Sequence, residues 1–134
     1  MSGVVVAVDF DGTIATNAYP DVGQVVPGAV DCLQDMTSKG AKLILLTMRD
    51  GDDLAAAQKA CSDAGCPDFW AVNSNPSQSS WTSSAKVFAN YYVDDSNVGV
   101  PLVMPSDAGS IDPDGKPYVD WDGARSVLVE RLSA

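Results

Sequence analysis

The sequence has no histidine, a single glutamate, three cysteines and only eight lysines and arginines in 134 residues. Without imidazole, phosphohistidine transfer, Ser-His-Asp and Cys-His catalysis and His-ligated zinc are all excluded. The scarcity of basic residues, against eighteen acids and a net charge of -10, argues against a broad nucleic-acid footprint, which needs clustered Lys and Arg. Polynucleotide ends stay open as substrates. Cys32, Cys61 and Cys66 are an odd set without paired metal spacing, so they read as reduced core thiols of a cytoplasmic protein. Long apolar runs are also missing. The run from Val4 to Val8 stops at Asp9, so neither a signal peptide nor a membrane association is expected.

What is present is aspartate. Glu130 is the only glutamate, so the other seventeen acids are Asp, a residue that prefers caps, turns and metal sites over helix faces. With 46% apolar residues, the chain has enough hydrophobic content for one core, and residues 1–134 are expected to form a single domain. Short β-branched runs without alternation at 4–9, 42–47 and 69–72 read as buried parallel strands, with YYVDD at 91–95 as a fourth and 98–104 as an edge strand. Helical spacing predicts helices over about 27–39, 52–64, 81–90 and 121–132. Asp50 or Asp52 would cap the second. Residues 14–27 form a flap, 73–80 a polar loop and 105–120 a long loop or hairpin. This alternation implies a three-layer α/β/α sandwich around a mostly parallel, Rossmann-like sheet.

In such a sheet the functional crevice lies beyond the carboxyl ends of the strands. Asp-x-Asp-Gly occurs three times, at 9–12, 112–115 and 120–123. Only the first closes a buried strand; the second carries turn chemistry and the third opens the last helix as a cap. Asp9, Asp11, Asp94 and Asp95 therefore gather at strand ends. Two unit charges about 5 Å apart repel by about 3 kcal/mol at an effective dielectric of 20. A cation is needed to balance them, and all-oxygen ligation with open water positions favours Mg²⁺ over Ca²⁺. Neither a calcium loop, nor a P-loop, nor Gly-x-Gly-x-x-Gly is present.

Asp9-Phe10-Asp11-Gly12-Thr13 after the first strand, Thr47 after the second, Lys86, and Asp94-Asp95 after a later strand resemble, in order, the four motifs of the haloacid dehalogenase (HAD) superfamily of phosphohydrolases. The stretches Tyr19-Pro20, Leu45 to Arg49, Ala71-Val72-Asn73 and Tyr118 to Trp121 are similar to a group of short HAD-like proteins of bacteria and phages. The resemblance implies Asp9 as a nucleophile that forms an aspartyl-phosphate, and Asp11 as general acid and then base. It implies Mg²⁺ on Asp9, the Asp11 carbonyl and Asp94, with Asp95 binding directly or through water. Thr47, Lys86, Gly12 and Thr13 would contact phosphate. Lys86 lies only eight residues before Asp94, a narrow gap for the motif lysine. Arg49 reads equally as a contact to an acidic group of the substrate or as a partner of Asp50, Asp52 or Asp53.

Neither insertion point has room for a cap domain, so the resemblance implies a capless protein whose open site takes bulky substrates or is closed by its own loops or a neighbouring subunit. The expected activity is that of a Mg²⁺-dependent phosphomonoesterase. A non-catalytic or regulatory protein on the same fold is an alternative, against which Asp9 and Asp11 both being present weighs. A signalling receiver domain fits less well, because there the phosphoacceptor ends the third strand and the Lys follows it, whereas here the third strand ends in Val72-Asn73.

Overall fold

A computed structural model describes residues 1–133 of the chain. Four parallel strands, β1 (Val5–Val8), β2 (Lys42–Leu45), β3 (Ala71–Val72) and β4 (Tyr91–Val93), form a sheet in the order β3-β2-β1-β4. β1 is central and buried along its whole length, which is why its sequence is an unbroken apolar run. It pairs with β2 from Val5↔Lys42 to Val8↔Leu45, and with β4 from Val6↔Tyr91 to Val8↔Val93. This register sets the carboxyl ends of β1 and β4 side by side.

Among the described residues three helices flank the sheet: α1 (Ala29–Ser38), α2 (Gly51–Ala64) and α3 (Trp121–Ser133). Their apolar residues, among them Leu33 and Met36 of α1, Ala57 and Cys61 of α2 and Leu128 of α3, join Val6, Val8, Leu43 and Leu45 in the larger core. All three thus pack on one face. Asp50 precedes α2 in extended backbone but makes no side-chain cap; Asp52 and Asp53 stand in the first turn, where their charge favours the dipole. Asp120 does cap α3, accepting the backbone N–H of Gly123 at 3.2 Å, and Asp112 closes its turn by accepting that of Lys116.

The opposite face, formed by Val5, Ala7 and Ile44, is covered by Ala89 with Trp70, Val87 and Tyr92. The helix expected over 81–90 is absent: this stretch is irregular, preceded by one 3-10 turn at Gln78–Ser80. Side chains take up the backbone groups that a helix would have paired. Gln78 donates to the carbonyls of Ser84 and Lys86 and accepts from Phe88 N–H, Thr82 and Ser84 hydroxyls accept N–H groups two residues on, and Tyr92 donates to the Val87 carbonyl. A run rich in serine and threonine competes with helix in this way.

The strand expected over 98–104 also differs. β5 (Leu102–Val103) leaves the main sheet and pairs antiparallel with β6 (Tyr118–Val119), so 105–120 holds the return arm of a hairpin. The flap at 14–27 is anchored by bridges between Asp11 and Ala15 and between Ala15 and Val25. Among the described residues, no helix is long and apolar enough to cross a membrane.

Candidate functional site

Asp9 follows the last residue of β1, and its N–H donates to the carbonyl of Val93, the last residue of β4, at 2.9 Å. Asp94 and Asp95 come next on that strand. One carboxylate oxygen from each of Asp9, Asp94 and Asp95 lies within 4.8 Å of the others, and all three residues are half-buried. Burial, then the Asp94 charge, then the hydrogen bond with Asp95 push the Asp9 carboxyl up to about 8. Asp95 is raised as well, mainly by burial. No lysine or arginine pairs with any of these three among the described residues.

Thr13 ties the cluster together. Fully buried, its hydroxyl donates to Asp9 Oδ2 and accepts the backbone N–H of Asp95, both at 3.2 Å. Gly12 has a φ of 78°, and a Cβ there would collide with the Asp95 carboxylate, so the loop needs glycine twice over. The C-terminal elements hold this loop from behind: Val119 N–H donates to the Gly12 carbonyl at 2.9 Å, and the buried Trp121 indole donates to the Thr13 carbonyl at 2.8 Å. Trp121 is a support residue that the motif pattern did not single out. A buried tryptophan with its N–H committed is the signal that finds it.

Thr47 lies beyond β2, nearly buried; its N–H donates to Asn73 Oδ1 at 2.8 Å and its hydroxyl accepts Arg49 N–H at 3.1 Å. The hydroxyl proton is left to donate. Asn73, at φ 54° after β3, is a second support residue the motifs did not mark.

Asp11 does not join the acidic cluster; its carboxylate belongs to Arg49. Arg49 Nε donates to Asp11 Oδ2 at 2.8 Å and Nη2 to Asp11 Oδ1 at 2.7 Å. The same guanidinium donates to the carbonyls of Pro20 and Asp21 in the flap and of Asp53 in α2, with Phe10 and Tyr19 rings at 5.1 and 5.2 Å. Arg49 is only 2% exposed. Both expectations for it are corrected: it faces no open rim, and it forms its ion pair with Asp11 and none with Asp50, Asp52 or Asp53, of which Asp53 offers its backbone carbonyl and a more distant charge. A five-donor fork fixed in one plane suits this role, and the flap supplies the oxygens.

Lys86 is exposed, with its Nζ 5.7 Å from the centroid of the Tyr92 ring, and it reaches none of the site aspartates. The missing helix explains this. Without it, the stretch 84–88 is pinned to Gln78 and Tyr92, and Lys86 points out over that patch.

No protein-family model matches the sequence. No curated protein matches it either. Among solved structures, a conserved protein encoded by a Bacteroides thetaiotaomicron locus is similar at 31% identity and a TM-score of 0.73, covering 96% of this chain and 91% of that one.

Proposed function

This chain belongs to the same family as that conserved Bacteroides thetaiotaomicron protein, and we propose that it is a Mg²⁺-dependent phosphohydrolase working through an aspartyl-phosphate on Asp9. The observation that carries the reading is the convergence of Asp9, Asp94 and Asp95 within 4.8 Å, half-buried and without a basic partner among the described residues. Unbalanced carboxylates in that setting are costly, and an all-oxygen donor set suits a hard divalent cation. The residues fit such an ion: Asp9, Asp94 and Asp95 would hold it, together with the Asp11 carbonyl. Bound there, Mg²⁺ would screen the charge of a phosphoryl group.

The chain's own groups supply the rest. Asp9 Oδ attacks phosphorus, with the Thr13 hydroxyl fixing its other oxygen. The Thr47 hydroxyl proton is the group left to meet a phosphoryl oxygen; Gly12 and Thr13, expected as phosphate contacts, instead donate their backbone N–H groups to the carbonyls of Ala15 and Phe10 at 2.7 and 3.2 Å and shape the loop. Lys86 is left out of this site. The core is completed as three layers by the irregular 73–90 segment, the unpaired thiols of Cys32, Cys61 and Cys66 suit a cytoplasmic protein, and the substrate is a phosphorylated compound, polynucleotide ends included.

The test is hydrolysis of 4-nitrophenyl phosphate by the purified protein with Mg²⁺, with Asp9→Asn inactive; an active Asp9→Asn protein would remove Asp9 as nucleophile. A second reading, a cation-binding regulatory protein without turnover, draws on the engagement of Asp11 by Arg49. Mg²⁺ binding without hydrolysis of any phosphate would favour it.

A further inference from the structure

The acidic cluster has a nucleophile, yet among the described residues no proton donor is aimed into it from outside its own three aspartates, which a bound cation would hold ionised. Both oxygens of Asp11 are held in the fork of Arg49, and that arginine is itself fixed by three carbonyls, two from the flap and one from α2. The Thr13 hydroxyl proton is spent on Asp9. Lys86 stands over Tyr92, and the sequence has no histidine to take its place. Departure of an alkoxide from phosphorus needs a proton on its oxygen, whereas a carboxylate, a phosphate or an aryloxide leaves as an anion unaided.

We infer that this site, taken as the phosphohydrolase proposed above, is built for phosphoryl compounds with an acidic leaving group: acyl phosphates, phosphoanhydrides and aryl phosphates. In the first half-reaction the Asp9 oxygen–phosphorus bond forms as the bond to the leaving group breaks, and the leaving group keeps the electron pair. No proton moves. In the second, water attacks phosphorus, the Asp9 oxygen–phosphorus bond breaks with its pair returning to Asp9, and the spare proton of the water passes to solvent. Arg49 is a positioning residue in this account. By holding Asp11 against the flap it keeps that carboxylate off the leaving oxygen, and so sets which substrates react.

The experiment is a leaving-group series with Mg²⁺: acetyl phosphate, 4-nitrophenyl phosphate, phenyl phosphate and glycerol phosphate, read as kcat/KM. A positioned general acid is worth roughly 10²–10⁴-fold, so the alkyl ester should trail acetyl phosphate by about that factor in the wild-type chain. Arg49→Met frees Asp11, and the gap should narrow by about tenfold or more. Arg49→Lys keeps the charge but cannot grip both oxygens, so it should narrow the gap too and serves if the methionine variant does not fold. Tyr19→Phe, which removes the phenol beside the fork, should leave the series unchanged. Glycerol phosphate turned over within about tenfold of acetyl phosphate by the wild type would overturn the inference while leaving the phosphohydrolase standing. So would a gap unmoved in folded Arg49 variants, or one widened by Tyr19→Phe. No turnover of any of the four would overturn both.

Discussion

Replacing Asp94 with asparagine should make the cation-free protein more stable, although it removes a residue from the proposed centre. Asparagine keeps the shape and the oxygen that accepts Ser96 N–H at 2.8 Å, so the change is close to pure charge removal. With carboxylate oxygens of Asp9, Asp94 and Asp95 within 4.8 Å of each other, each fully ionised pair costs about 3.5 kcal/mol at an effective dielectric of 20. Solvent reaches all three residues and screens part of that repulsion. At neutral pH most of it is also avoided by protonation, since the Asp9 carboxyl is pushed up to about 8. The expected gain is therefore small at about pH 5, about 1–2 kcal/mol at about pH 7, and largest at about pH 9. For a chain of this size that is roughly 3–10 °C in Tm.

The assay is thermal unfolding of both proteins across that pH range, with and without Mg²⁺. At about a hundredfold above its Kd, the ion should stabilise the wild type by about 2.7 kcal/mol and the variant far less. A variant that melts lower than wild type throughout, with an undiminished response to Mg²⁺, would refute the account of the cluster as strained by like charge.

The wild type should itself show a matching pH dependence. Asp9 is raised from 3.8 in the unfolded chain to about 8 in the fold. Its contribution is thus fully present below about pH 4 and is lost as pH rises to about 8; Mg²⁺ titrations at fixed pH should abolish that slope, and a cation-free protein equally stable at both ends would contradict it. Gly12→Ala should cost about 1–3 kcal/mol by urea unfolding, because it combines a positive φ with a clash against Asp95; a neutral effect would mean that Asp95 is free to move. Lys86→Ala should change neither Mg²⁺ affinity by calorimetry nor stability beyond about 0.5 kcal/mol, since the side chain is exposed, lies over Tyr92 and makes no ion pair with the aspartates. A large loss of Mg²⁺ affinity would return Lys86 to the site.

The strand ends were legible because period and burial act locally. An unbroken apolar run such as Val5–Val8 has no way to exist except between two covered faces, and in a parallel sheet its carboxyl end then has one destination. Asp9, Asp94 and Asp95 follow from that alone. The 81–90 stretch was misread because its apolar spacing was helical while its hydroxyls and Gln78 offered the backbone other partners, and no pattern of apolar residues records that competition. β5 left the main sheet for a partner that lies sixteen residues on, beyond a loop whose path no local pattern states.

Arg49 is the most instructive residue. Its partners are two carboxylate oxygens at Asp11 and three backbone carbonyls at Pro20, Asp21 and Asp53. Carbonyl oxygens are common to every residue, so a flap that presents them carries no mark in the sequence, and an arginine after a strand invites a search among nearby acids instead. The pairing that follows takes Asp11 out of the cluster, where four carboxylates would have repelled one another, and balances it with a guanidinium at 2% exposure. That leaves three acids in the cluster and separates the two aspartates of a single motif: Asp9 joins Asp94 and Asp95, and Asp11 faces the flap. A residue type and a spacing can name both aspartates, but only the path of the flap decides which of them is free to act.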